Sequence, residues 1–140
     1  MHSELLKRVP LFEGLSEEEL QAISYVAVLR VFPKDRVVIM AEEEGDSLFV
    51  IHSGQVKVSI VSEDGREVIL SILGKGNFFG EMSLLDGFPR SANVTTMAET
   101  ELLMVRRADF LHFIQNSPQT AIKLLAVLAQ RLRRTDRKIE

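Results

Sequence analysis

Gln55–Leu73, QVKVSIVSEDGREVILSIL, reads as two strands folded about a tight turn. Val56, Val58 and Ile60 alternate with Lys57 and Ser59, and Val68, Leu70 and Ile72 repeat the pattern after the turn. Side chains of an extended chain point alternately to opposite faces, so a period of two marks a strand with one face toward a core. Asp64-Gly65 lies between the two runs, and this pair suits the positive φ angles of a two-residue hairpin turn. The apolar faces are expected to fill the interior of a sheet structure.

Outward from this hairpin, the chain between 28 and 106 is made of short β-branched and aromatic runs punctuated by glycine. Strands are predicted over 28–32, 37–40, 47–52, 55–61, 67–73, 77–79, 92–97 and 101–106. Many short strands with glycine turns indicate an all-β sandwich or barrel. Before them, Ser16 with Glu19 three residues on makes a capping box, and Leu15 and Leu20 occupy the staple positions, so a helix is predicted from 17 to about 27. Leu5, Leu6, Leu11 and Phe12 supply apolar groups that would dock this end on the sheet.

After Arg106 the period becomes helical. One short helix is predicted over 108–114, and Ser117-Pro118 opens a second. Ile122, Leu125, Ala129, Leu132 and Ile139 then recur as a heptad-like seam suited to a second copy of the chain, with Asp136 on the seam as a register-setting polar residue. Leu124 and Leu128 form another stripe, expected to pack on the sheet. Arg131, Arg133, Arg134, Arg137 and Lys138 make the end basic and are read as a solvated face.

The chain has 140 residues, enough for one domain, and a formal charge of -3, which argues against a generally nucleic-acid-seeking surface. It contains no cysteine, so no disulfide or thiolate metal site can form. No signal-peptide pattern or membrane-length apolar run is present, and a cytoplasmic setting without membrane contact is the expectation. His2, His52 and His112 are too scattered for a metal-binding jelly-roll enzyme, and no nucleophile motif accompanies any serine. The expectation is a chain with no catalytic residues and no metal.

Phe79–Val94, FGEMSLLDGFPRSANV, carries the chemistry. Gly80 ends a strand, and a single helical turn is expected to open there, leaving unpaired backbone N–H groups that suit an anion. Asp86-Gly87-Phe88-Pro89 turns the chain back so that Arg90, Ser91 and Ala92 lie beside it. A guanidinium fork matches a phosphate, and Ser91 adds a hydroxyl. Glu81 would repel an anion unless it accepts from a sugar hydroxyl; the other reading makes it a structural partner of Arg90.

The order F-G-E-M-x-L-L followed by P-R-S-A-x-V resembles the phosphate-binding cassette of cyclic-nucleotide-binding domains. Glu44-Gly45-Asp46, Leu48–Ile51 and Gly54 resemble the family's first glycine-punctuated hairpin, and the register is most similar to the sensor half of catabolite-activator and fumarate-nitrate-reductase regulators. The resemblance implies a mostly β fold: an antiparallel jelly roll with an N-terminal helix and a long C-terminal dimerisation helix. It implies a ligand-binding unit over 1–117 and a dimer or hinge helix over 118–140, with DNA contacted only through a domain outside these residues. The implied ligand is cyclic AMP or cyclic GMP. Gly80, Arg90, Ser91 and the amides nearby would engage its phosphate and Glu81 its ribose 2′-hydroxyl, with Met82 and Ala92 also among the ligand-binding residues. Val58 and Leu70 would line the sugar and base, and Thr135 would touch the base. Two variants of this reading stay open: a degenerate sensor of another small molecule, and a stand-alone module acting on a partner protein.

Overall fold

A computed structural model describes residues 3–42, 45–81, 90 and 92–139, with the side chains of residues 3 and 134–139 outside the description. Among the described residues eight strands form two antiparallel four-stranded sheets, so the expected jelly-roll architecture with flanking helices is the observed one. The first sheet has the order β1 (Val28–Phe32), β8 (Thr100–Arg106), β3 (Ser47–Ser53), β6 (Phe78–Phe79). The second has the order β2 (Val37–Ile39), β7 (Asn93–Thr96), β4 (Gln55–Val61), β5 (Glu67–Gly74). Helix α1 (Ser3–Lys7), a 3-10 turn at Pro10–Phe12 and α2 (Glu17–Val26) precede the strands; α3 (Arg107–Asn116) and α4 (Pro118–Ile139) follow them.

The period of two in the central strands creates two cores. Phe49 and Ile51 of β3 and Leu102 of β8 point between the sheets, where they meet Ile39, Val56, Phe79 and Val94. Their neighbours Leu48, Val50, Leu103 and Val105 point the other way, onto a layer formed by Leu6, Leu11, Phe12, Leu20, Ile23, Phe110, Phe113 and Leu124. The first sheet is therefore apolar on both faces, and its outer face is covered by the helices. Phe12 meets Phe113 edge to face, with centroids 6.3 Å apart, joining the 3-10 turn to α3.

The hairpin of β4 and β5 forms as its turn residues require, with Gly65 at φ 85° and Gly65 N–H bonded to Ser62 O. The alternation of β5 differs from the simple reading. Val58 pairs with Ser71 and Ser59 pairs with Ile69, leaving Leu70 as the extra residue of a bulge. Val68, opposite Ile60, and Ile72, opposite Lys57, consequently lie on opposite faces of the hairpin. Val68, Ile69, Leu70 and Ile72 are 43–52% exposed rather than core. An inserted residue shifts every later side chain to the other face, which the run of apolar residues in β5 conceals.

Helix α4 carries the two stripes. Leu124 is buried in the helix–sheet core and Leu128 packs against it. Ile122, Leu125 and Leu132, three residues of the predicted seam, are 63–66% exposed. Among the described residues no helix is long and apolar enough to cross a membrane.

Candidate ligand-binding site

The site forms where β6 ends. Phe79 stacks on Phe49 with centroids 5.1 Å apart, and this holds the last strand residue against the sandwich core. Gly80 then takes φ 92°, which an L side chain adopts only with strain, and the backbone turns helical at Glu81. A Cβ at Gly80 would lie 2.8 Å from Arg90 Nη1 and 2.9 Å from Ser47 O. The glycine is thus required both by conformation and by the close approach of the arginine.

Arg90 is buried. Its Nη1 donates to Gly80 O at 2.6 Å and its Nη2 donates to Ser47 O at 2.8 Å. Its own carbonyl accepts from Glu42 N–H at 2.8 Å. The two guanidinium bonds hold the head group at the junction of β3 and β6. Burial pulls its pKa down, opposed by the charges of Asp46 and Glu81, yet an arginine stays protonated.

Glu81 is only 3% exposed. Its described side-chain partner is Arg131 of α4, not Arg90: Arg131 Nη1 donates to Glu81 Oε1, and Nη2 donates to Phe78 O at 2.8 Å. The Arg131 guanidinium also lies over the Phe78 ring, 4.6 Å from its centroid. The solvated-face reading of Arg131 is therefore corrected. Leu124, Leu128 and Arg131 are spaced by four and three, so Arg131 continues the sheet-facing stripe, and that spacing was the available signal. Burial raises the pKa of Glu81, and the Arg131 charge opposes that rise.

The fold thus brings Gly80, Glu81 and Arg90 together, with Arg131 added. Ala92 is half-buried just before β7, and Val58 is half-buried at the edge of the inter-sheet core. Leu70 sits at the bulge, 47% exposed. Met82 and Ser91 lie outside the described residues, and Thr135 is placed on α4 by its backbone alone. Among the described residues no cluster of His, Asp and Glu could hold a metal ion.

Gly80, Glu81 and Arg90 meet at the end of β6, and the profile of the "Cyclic nucleotide-binding domain" family matches residues 29–117. The chain belongs to this family. It is 39% identical over 136 residues to the "Cyclic AMP receptor protein" of Thermus thermophilus, covering 96% of this chain and 62% of that protein. The crystal structure of the Thermus thermophilus Catabolite Activator Protein superposes with a TM-score of 0.84 at 40% identity, covering 93% of this chain and 61% of that one. The sensor domain of the transcriptional regulator DNR from Pseudomonas aeruginosa gives 0.83 at 28% identity, covering 99% and 93%. Within the family this cyclic nucleotide-binding domain is related to bacterial CRP-type regulators, and it spans about three-fifths of their length, 62% of the Thermus thermophilus receptor protein and 61% of the "CRP-like cAMP-activated global transcriptional regulator" of Mycobacterium tuberculosis, to which it is 35% identical over 136 residues.

Proposed function

We propose that this domain is the sensor of a transcriptional regulator and binds cyclic AMP or cyclic GMP without making or breaking a bond. The observation that carries the reading is the buried Arg90 guanidinium, fixed by Gly80 O and Ser47 O next to the Glu81 carboxylate. Two of its five N–H groups serve these carbonyls, so donors remain for a phosphate. Gly80, with the backbone amides after it and Ser91, completes the anion site, and Met82 and Ala92 lie within the same segment. Glu81 Oε2 is the oxygen offered to a ribose 2′-hydroxyl, because Oε1 faces Arg131. Val58, Leu70 and Thr135 complete the pocket around sugar and base.

Arg131 gives the ligand a route to α4. A ribose and α4 would share one carboxylate, so an occupant that strengthens or weakens the Glu81–Arg131 pair changes the energy of one helix position relative to another. The exposed seam of Ile122, Leu125 and Leu132 supports a homodimer through the same helix, in a cytoplasmic protein.

Calorimetric titration of the 140-residue chain with cyclic AMP and with cyclic GMP tests the reading. One of the two is expected to bind, with affinity weakened by about 2–5 kcal/mol in Arg90→Ala. Silence from both would refute it.

A further inference from the structure

Helix α1 spans only Ser3–Lys7, and beside its end the outer face of the first sheet stays uncovered. A cavity of about 320 Å³, counted with its solvent-facing mouth, lies there. Its floor is Val50 of β3 and Leu103 of β8, a cross-strand pair whose side chains belong to the helix–sheet core. Leu5 and Val9 form one wall, and Lys75 and Gly76 of the turn between β5 and β6 form the other. The apolar body of the cavity therefore continues the helix–sheet core outward to solvent.

Both walls are held by backbone hydrogen bonds. Gly76 takes φ 87° and its N–H donates to Ile51 O at 2.9 Å, while Ile51 N–H donates to Asn77 O at 2.9 Å. Asn77 closes the turn: its Oδ1 accepts from Gly74 N–H at 2.9 Å and its N–H donates to Gly74 O at 3.0 Å. Across the cavity, Arg8 N–H donates to Leu5 O at 3.3 Å and Val9 N–H donates to Leu6 O at 3.0 Å. The turn that carries Lys75 is thereby tied to β3, and the backbone that carries Arg8 is tied to α1.

The ionisable groups at this cavity are nitrogen bases. Arg8, Lys75 and His52 line it, and among the described residues no carboxylate does. His52 is the extra residue of a bulge between Ile51 and Ser53, a device that re-aims a side chain. Its Nε2 lies 3.9 Å from Glu101 Oε1, an oxygen that already accepts from Ser53 Oγ at 2.8 Å. Arg8 and Lys75 are exposed, and among the described residues neither is ion-paired with a carboxylate. Two uncompensated cations at the mouth of a low-dielectric cleft focus a positive potential on it, in a chain whose net charge is -3.

We infer that this cavity is a second ligand site, distinct from the cassette, for a small monocarboxylate with a short apolar body. The carboxylate meets Arg8 and Lys75 at the mouth, where a guanidinium fork matches its two oxygens. The apolar body replaces water over Val50, Leu103, Leu5 and Val9. A bare phosphate gains the charges and leaves that floor wet, whereas an uncharged amphiphile covers the floor and forfeits the charges. A volume of about 320 Å³ lies at the low end for ligand cavities and sets the ligand's size. Lys75 and Gly76 precede β6 whereas Gly80 and Glu81 follow it, so occupancy of this cavity does not depend on the cyclic-nucleotide reading.

Amide chemical shifts of the 140-residue chain, titrated with hexanoate, acetate, hexanamide and inorganic phosphate, test the site. Hexanoate is expected to give saturable shifts at Val9, His52, Lys75 and Gly76. Each buried methylene is worth about fourfold, so acetate should bind at least about tenfold more weakly. Hexanamide lacks the charge and should lose about tenfold as well. Lys75→Gln and Arg8→Gln change exposed side chains, so both variants should fold, and each should weaken hexanoate binding by about fivefold or more. No saturable shift with hexanoate up to about 20 mM, equal binding of acetate, phosphate or hexanamide, or indifference to both substitutions overturns the site. Shifts centred on Gly80, Glu81 and Arg90 would put hexanoate in the cassette and overturn it equally.

Discussion

Arg131→Ala leaves Glu81, 3% exposed, without the cation that faces it. Removing one partner of a fully buried ion pair costs about 3–5 kcal/mol, because the other charge stays desolvated. The Arg131 side chain is 34% exposed, so its removal admits some water to the carboxylate and the cost falls to about 2–3 kcal/mol. Part of that is the lost contact with the Phe78 ring, about 0.5–1 kcal/mol. For a chain of this size it lowers Tm by about 6–15 °C. Urea unfolding of wild type, Arg131→Ala, Glu81→Gln and the double variant gives the coupling directly. In the Glu81→Gln background the arginine should matter by only about 1 kcal/mol, since no buried charge is orphaned.

The pH dependence of that deficit has a definite sign. The folded pKa of Glu81 is raised above its ordinary value of 4.5, so the stability this confers is present below 4.5 and is lost as pH rises through the folded value. Removing Arg131 removes a force that lowers the pKa, and the folded value climbs further. The deficit of Arg131→Ala should therefore be greatest at neutral pH and shrink on acidification toward 4.5. A deficit under about 0.5 kcal/mol, or one independent of pH, would refute the reasoning.

Gly80→Ala combines a φ of 92° with contacts of 2.8 and 2.9 Å from the new Cβ, and urea unfolding should show a loss of about 1–3 kcal/mol; a smaller loss would mean the turn relaxes freely. Arg90→Ala should cost about 2–5 kcal/mol of cyclic-nucleotide affinity in calorimetry, and unchanged binding would remove Arg90 from the phosphate site. Leu125→Glu, on the exposed seam, should abolish self-association in sedimentation equilibrium with little change in monomer stability. Leu124→Ala, one residue away and 3% exposed, should cost about 2–4 kcal/mol of stability, and reversal of this contrast would reverse the assignment of the two stripes.

Much of the architecture was legible because it rests on local chemistry. Gly65 turns a hairpin wherever the surrounding runs alternate, and Ser16 and Glu19 form a capping box from their spacing alone. Gly80 was readable for the same reason, as a glycine directly after a strand, whereas the expected turn over 86–89 lies outside the described residues and the place of Arg90 is known from its bonds to Gly80 O and Ser47 O. Leu70 was harder, because a bulge depends on how β5 registers against β4, and a continuous apolar run hides the extra residue.

The sequence by itself determined the period of each element, the positions of its turns and caps, and the cassette that marks the family. Only the tertiary structure decided which charges meet. Glu81 took Arg131 from fifty residues away in place of the nearer Arg90, because α4 lays its Leu124–Leu128–Arg131 stripe across β6 while the Arg90 guanidinium is turned toward Gly80 O and Ser47 O. Likewise Glu19, legible as a cap, acquired Ser117 only when α3 and α4 folded back over the first sheet. Hydrogen bonding over one helical turn is set by spacing, whereas pairing between distant side chains is set by which faces the two cores bring into contact.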